Sequence, residues 1–278
     1  FSHPSPMKLS SRVVSIGSGV GGLATASILA QAGYQVQLFE QNEQFGGRMS
    51  VLTQDGFTFD MGPSWYLMPD IFEHFFTLLG ERAEDHLVLK KLLPSYRVFF
   101  KDEGVIQDIV PDVEKAKQAF EGYEPGSAKK LERYLSIAKQ AYEISKESFL
   151  YRNYSSILDF FSWKVVVQGV RLPLIRKMHS YVKSVFANPK LQKLLEYQLV
   201  FLGTSPYQAP ALYTLMNYID FHQGVFYPMG GMGQVTNALV KLAEARGAIL
   251  KTHAKVQEIM VEDGRTVGVR MQDGTIVE

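Results

Sequence analysis

The sequence predicts an α/β chain, a parallel sheet with covering helices that is interrupted by an α+β, mostly helical insert. Three observations predict it. A β-type run, Arg12 to Ile16, leads into a glycine-rich turn, a small-residue helix and a second β-type run. The middle of the chain shows helical periodicity punctuated by prolines. Residues 248–278 return to short β-type runs separated by Asp-Gly turns.

The first strand feeds Gly17-Ser18-Gly19-Val20-Gly21-Gly22, a helix follows from about Gly21 to Ala32, and a second strand, Gln35 to Phe39, ends at Glu40. This is a βαβ unit of the Rossmann type. Gly17 permits the tight turn, Gly19 lets backbone approach a pyrophosphate, and Gly22 lets the helix pack close to the sheet. Val20 opens the helix, whose free N–H groups and positive dipole end point at the phosphates. Glu40 lies 18 residues after Gly22. A carboxylate there accepts hydrogen bonds from both ribose hydroxyls and repels a 2′-phosphate, which disfavours NADP. A lone G-x-G-x-x-G is a weak signal. The strand before it, the helix after it and the spaced acid make it specific.

Gly46-Gly47-Arg48 follows, then Phe59-Asp60-Met61-Gly62-Pro63-Ser64. Two glycines before an arginine leave backbone room for a ligand and set a cation beside the phosphate end. An NAD dehydrogenase does not need that element.

Val51 to Asp60 reads as a strand pair around Asp55-Gly56. Asp70 to Leu79 places Ile71, Phe72, Phe75, Phe76 and Leu79 at helical spacing, with Asp70 as N-cap and Gly80 as stop. Tyr96–Lys101 and Val105–Val110 read as a hairpin. Pro111-Asp112 starts a helix that Glu124-Pro125-Gly126 ends, and Ser127 to Leu150 is a long amphipathic helix. Pro173, Pro189 and Pro206 punctuate three more helical segments up to His222. Gln234 to Arg246 is helical, and turns follow at Asp263-Gly264 and Asp273-Gly274. The simplest organisation is discontinuous, with residues 7–80 and 224–278 forming one domain and 81–223 inserted between them.

Pro228-Met229-Gly230-Gly231-Met232-Gly233 opens a helix and offers backbone N–H groups and close approach to a planar ligand; an ordinary flexible helix start accounts for the same residues.

Composition excludes several classes. The 278 residues are 46% hydrophobic, enough for a sizeable core, and the net charge of +1 indicates no polyanion or nucleic-acid partner. With no cysteine there is no disulfide, thiolate metal site or cysteine nucleophile. The histidines show no HxH or HxxxH spacing, so no metal is expected. Asp55, Asp60, Asp108 and Asp112 fall near turns and helix starts, where carboxylates cap. His74 reads as a half-buried helix residue. No serine sits in a G-x-S-x-G elbow. Phe1–Pro6 reads as a tag remnant or leader ahead of Met7, and no apolar run reaches the ~18 residues of a bilayer span.

Residues 17–48, 59–76 (FDMGPSWYLMPDIFEHFF) and 213–248 (YTLMNYIDFHQGVFYPMGGMGQVTNALVKLAEARGA) together resemble the bacterial phytoene desaturase family, with the dehydrosqualene desaturases, in the amine-oxidase-like flavoprotein superfamily. The third stretch is the most selective. The resemblance implies FAD, held by Gly17, Gly19, Val20, Gly22 and Glu40, with Gly47, Arg48, Gly62, Pro63 and Ser64 beside it. It implies a flavin domain from 7–80 and 224–278, a substrate and membrane-facing domain from 81–223, and a placement of the second glycine cluster near the substrate cavity. Val256 would present its backbone to the adenine, although a plain core valine fits equally. Family members are about twice as long, so the chain reads as an N-terminal fragment whose parent carries a further flavin segment.

The implied activity is desaturation of an acyclic C40 or C30 carotenoid precursor such as phytoene, with hydride transfer from an allylic carbon to the flavin and loss of a proton from its neighbour. No protein acid or base is identified; Arg152, beside Tyr151, is a weak candidate, and an ordinary surface arginine is the stronger reading. The apolar residues of 191–221 read as core with an added hydrocarbon tunnel. Ile157 to His179 combines apolar bulk, a tryptophan and basic flanks, which suits either a membrane interface or a buried helix pair. The implied location is cytoplasmic, peripheral on the inner face of the cytoplasmic membrane. The alternatives are another flavin oxidoreductase on this scaffold (carotenoid isomerase, carotenoid oxidase or amine oxidase), an NAD-linked dehydrogenase, and a non-catalytic lipid-carrying module.

Overall fold

The structure, a computed structural model, describes residues 12–101, 104–151 and 176–278. In chain order the main elements are β1 (Arg12–Ile16), α1 (Val20–Gln31), β2 (Gln35–Phe39), β3 (Val51–Gln54), β4 (Phe57–Asp60) and α2 (Pro69–Leu78). The hairpin β5 (Tyr96–Phe100) and β6 (Val105–Ile109) precedes α3 (Val113–Tyr123), α4 (Ser127–Ser145), α5 (Met178–Val185) and α6 (Pro189–Glu196). Last come α7 (Gly233–Ala245), β7 (Ile249–Lys251), β8 (Val256–Glu262), β9 (Arg265–Met271) and β10 (Ile276–Val277).

The chain divides into two compact units: the N-terminal residues to Lys90 together with Phe226–Glu278, and Lys91–Val225. Residues 81–90, given to the insert by their punctuation, pack in the first unit, because Ala83 and Leu87 are buried in the cluster that holds Phe76 and Leu79.

In the first unit β1 pairs parallel with β2, Arg12 opposite Gln35 and Ile16 opposite Phe39, and β2 pairs parallel with β7, Gln37 opposite Ile249. α1 and α7 pack on each other and cover this sheet, with Leu23 and Ala26 of α1 and Val235 and Leu239 of α7 joining Val36 and Leu38 in one core. Small residues along α1 permit that close approach. Each large apolar side chain buried here contributes roughly 1.5–3 kcal/mol over its exposed state. β8, β9 and β10 form a separate antiparallel sheet, and the turn between β8 and β9 places Asp263 and Gly264 at positive φ, as a two-residue hairpin loop requires.

Asp70 does not cap α2. Met68 occupies the cap position at φ 55° without a side-chain bond, and Pro69 takes the first helical turn, where its fixed φ fits. Asp70 instead sits in the first turn, complementing the helix dipole. Gly80 at φ 73° follows the helix end.

In the second unit Asp112 caps α3 by accepting from Lys115 N at 3.1 Å, and Asn188 caps α6 by accepting from Lys190 N at 2.8 Å. The helix expected to run to Leu150 is α-helical only to Ser145; Lys146–Leu150 forms a π-turn, which apolar periodicity does not distinguish from α. The helices bury Phe120, Leu131, Tyr134, Phe186, Leu191, Leu195 and Phe221 together. Arg152 and residues 157–175 lie outside the described residues.

Inside this unit Asp220 is 3% exposed, and its Oδ2 accepts from the Tyr96 hydroxyl at 2.6 Å and Gln198 Nε2 at 2.6 Å. Burial pushes its carboxyl up to about 6 against the pull of those two donors. A raised folded-state value means that stability is present at low pH and lost as pH climbs through that value. Asp220→Asn keeps an acceptor for both donors and removes the charge. It is expected to raise stability at pH 7.5 by about 3 kcal/mol at most, with no gain near pH 4, as read by denaturant titration at the two pH values.

Candidate functional site

The C-terminal ends of β1 and β2 lie side by side because the strands pair in register, and the glycine turn grows from that edge. Gly17 N donates to the Phe39 carbonyl at 2.8 Å, and Gly17 sits at φ 90°, a conformation that disfavours any side chain. A Cβ on Gly22 would overlap the Gly17 carbonyl oxygen, so the first turn of α1 rests directly on the strand end. Gly19 caps α1 and its carbonyl accepts from Leu23 N at 3.0 Å. Gly17 and Gly19 have open space where a Cβ would stand, and Val20 begins the helix. The turn therefore presents glycine backbone and the first-turn N–H groups of α1, which have no partner within the helix, the arrangement that receives a diphosphate.

Glu40 is 4% exposed, and its carboxylate is satisfied by the chain itself. Oε2 accepts from Ser18 N at 2.9 Å and Ser18 Oγ at 2.6 Å, while Oε1 accepts from Asn42 N at 2.9 Å and Asn42 Nδ2 at 2.8 Å. Burial pushes its pKa up, yet the bonds from Ser18 and Asn42 prevail and hold the carboxyl below its ordinary value. Sequence spacing lets this carboxylate accept from both ribose hydroxyls; with these donors in place, a sugar hydroxyl reaches it only by exchange. Ser18 and Asn42 were not singled out by sequence. Ser18 was legible as the short polar residue between the two glycines, whereas Asn42 carried no signal.

Gly46 and Gly47 lie across the turn. Gly46 N donates to the Ser18 carbonyl at 3.0 Å, Gly19 and Gly46 form an isolated parallel bridge, and a Cβ on Gly47 would come within 3.3 Å of Gly19 Cα. Arg48 is exposed and makes no hydrogen bond or ion pair among the described residues. Gly62 rests on the Arg48 carbonyl oxygen, which its missing Cβ would overlap, while Pro63 and Ser64 are exposed. The structure thus gathers Gly17, Gly19, Gly22, Glu40 and Gly47 at one edge and links Gly62 to it through Arg48; no hydrogen bond among the described residues joins Pro63 or Ser64 to the turn.

The second glycine cluster packs on the 46–60 segment rather than on the first turn. Asp60 Oδ1 accepts from Met232 N at 3.0 Å, capping α7 from a distant strand, and a Cβ on Gly233 would lie 2.8 Å from Val51 Cγ1. Part of the N–H supply expected there for a ligand is therefore spent on Asp60. Val256 packs with Phe39, Val269 and Met271 in a small core, where its side chain has an ordinary structural role.

A cavity of about 790 Å³ opens beside Glu40, walled by Phe39, Asn42, Lys251, His253, Lys255 and Asp273. Lys251 Nζ stands 5.8 Å from the Phe39 ring centroid. Asn42 lines this cavity and also holds Glu40.

Residues 20–278 match the flavin containing amine oxidoreductase family. The chain belongs to that family. The carotenoid 3,4-desaturase of Haloarcula japonica is 46% identical over 96% of the chain, and the zeta-carotene-forming phytoene desaturase of Myxococcus xanthus is 36% identical over 96% of it. The chain spans 52% of the length of each. Putrescine oxidase bound to putrescine shares the fold at a TM-score of 0.58 and 17% identity, covering 94% of this chain and 54% of that one. For a member of a flavin-containing family the dinucleotide is FAD, and the open glycine turn, the ionised Glu40 and the exposed Arg48 fit its diphosphate and sugar.

Gly22→Ala is expected to destabilise the first unit by about 1–3 kcal/mol through overlap with the Gly17 carbonyl. Gly21→Ala, whose Cβ meets nothing within 4 Å, is expected to leave the melting temperature nearly unchanged. Thermal melts of the two variants side by side check this.

Proposed function

We propose that the parent protein is an FAD-dependent desaturase that oxidises a CH–CH bond of an acyclic C40 or C30 carotenoid precursor, phytoene first among them. The observation that carries the reading is the convergence of the Gly17–Gly22 turn, the Glu40 carboxylate and Gly46–Arg48 at one sheet edge, in a chain akin to two carotenoid desaturases. When bound, FAD supplies the two-electron acceptor. The roles assigned to this chain are binding and orientation. N–H groups at Gly19–Gly22 receive the diphosphate, Arg48 adds an exposed positive charge, Glu40 accepts from the ribose, and the cavity walled by Phe39 and Lys251 seats the adenosine half. Gly62, Pro63, Ser64 and the Val256 backbone are assigned to the flavin side and the adenine respectively.

The unit Lys91–Val225 is assigned to the substrate. Leu194, Leu195, Leu199, Ile219 and Phe221 are spent on its core, whereas Val200 at 65% exposure, Phe201 and Leu202 face outward. No described helix is long and apolar enough to cross a membrane. These outward apolar residues support peripheral contact with the inner face of the cytoplasmic membrane, from which a lipid-soluble substrate is drawn. Arg152 receives no role.

The name of the Haloarcula japonica relative favours a second reading, in which the substrate is an already conjugated carotenoid. Both are tested by incubating the full-length protein, loaded with FAD, with phytoene and with a coloured carotenoid in separate vesicle preparations, followed by pigment chromatography. Coloured polyenes from phytoene are the expected result. A protein that holds FAD and leaves phytoene unchanged while extending the coloured carotenoid overturns the first substrate in favour of the second. Isomerised or oxygenated products in place of new double bonds overturn desaturation itself.

A further inference from the structure

Asn42 has no place in the function proposed above, yet it occupies the carboxylate on which that function relies. An ionised carboxylate offers about four lone-pair positions. All four on Glu40 are taken, by Ser18 N, Ser18 Oγ, Asn42 N and Asn42 Nδ2, at 2.6–2.9 Å. The two side chains that contribute differ in one decisive respect. Ser18 is 0% exposed, and its hydroxyl oxygen also accepts from Gly46 N at 3.3 Å, so it has neither room nor reason to move. Asn42 is an exposed residue at the wall of the 790 Å³ cavity, so its carboxamide can turn into water and be solvated there.

We infer that Asn42 is a gate on the sugar-binding carboxylate. In the free chain its carboxamide holds Glu40 Oε1, and an incoming ribose hydroxyl takes that position while the carboxamide turns outward into solvent. Ser18 is the permanent anchor, fixing Oε2 so that Oε1 alone is the working oxygen. The inference rests on the reading of this edge as a dinucleotide site and deepens it by naming which oxygen meets the sugar and what stands there beforehand. The exchange is one charge-assisted hydrogen bond for another, so the gate weakens nucleotide binding without preventing it. It also keeps a buried carboxylate satisfied when no nucleotide is present, which an empty acceptor would not be.

The two residues are therefore expected to respond in opposite directions. ADP and 2′,3′-dideoxy-ADP serve as probes on the full-length protein, with dissociation constants from calorimetry. Asn42→Ala removes the competing donor and is expected to tighten ADP roughly 3- to 10-fold while leaving the dideoxy analogue unchanged, so that the preference for the hydroxylated sugar grows. Ser18→Ala frees Oε2 and loosens the carboxylate, and is expected to weaken ADP by roughly 10-fold. Because Asn42 is an exposed residue, that variant decides the matter even where Ser18→Ala folds poorly. Wild-type preference for ADP that Asn42→Ala leaves the same or diminishes overturns the gate and leaves the dinucleotide site standing. Equal wild-type affinity for the two nucleotides overturns the sugar contact at Glu40, and the gate with it.

Discussion

Glu40 ties together the strand ends on which the rest of the first unit depends. Its backbone N donates to the Lys251 carbonyl at 2.8 Å and its own carbonyl accepts from Ala254 N at 2.8 Å, which joins the end of β2 to the end of β7 and the loop beyond it. Its side chain bonds Ser18 in the glycine turn and Asn42 in the following loop. A carboxylate buried to this degree costs several kcal/mol unless its lone pairs are met. Here that requirement works as a constraint on the backbone: the turn at 17–22 and the loop at 40–42 must hold the positions from which their N–H groups reach the carboxylate. A single ionised group thus fixes the shape of the edge.

Around that node, close backbone contact replaces side-chain packing. Gly22 against the Gly17 carbonyl and Gly62 against the Arg48 carbonyl each bring main chain nearer than any other residue allows, and Gly47 lies close against Gly19. The result is a thin-walled edge where polar backbone faces outward and little apolar surface is gained. The stability for this is supplied elsewhere, by the α1–α7 core around Leu23, Val235 and Leu239. This division follows a general pattern in which a rigid, well-packed scaffold carries a loop of exposed backbone.

The second unit uses the opposite solution. Some of its polar groups are drawn inward and paired, Asp220 with Tyr96 and Gln198, and Tyr134 with Asn217 at 2.8 Å. Aromatic rings fill the space between helices, as with Phe120 against Phe186 and Phe221 at centroid separations of 5.7 and 6.1 Å. Networks of this kind help to specify one packing arrangement, because each member is positioned by the others, as Gln198 Nε2 is by Asp220 Oδ2 at 2.6 Å and the Tyr96 oxygen at 3.0 Å.

The βαβ start, both hairpins, the Asp112 cap and the Asp-Gly turn between β8 and β9 were legible from sequence, because each depends on residues within a few positions of one another: strand period, capping side chain, or a backbone angle that favours glycine. Gly17, Gly19, Gly22 and Glu40 were legible as a set for the same reason, since one supersecondary unit spaces them. Tertiary structure alone decided the rest. Asp60 reaches across 172 positions to cap α7, and the second glycine cluster, which local sequence reads either as an ordinary helix start or as a ligand seat, packs on the 46–60 segment. Met68 displaced Asp70 as a cap because Pro69 fixed the helix start. The closure of Glu40 by Ser18 and Asn42 was beyond any local rule, since a lone pair's occupant is set by which donors the folded chain brings within 3 Å, and that is a property of the assembled loops.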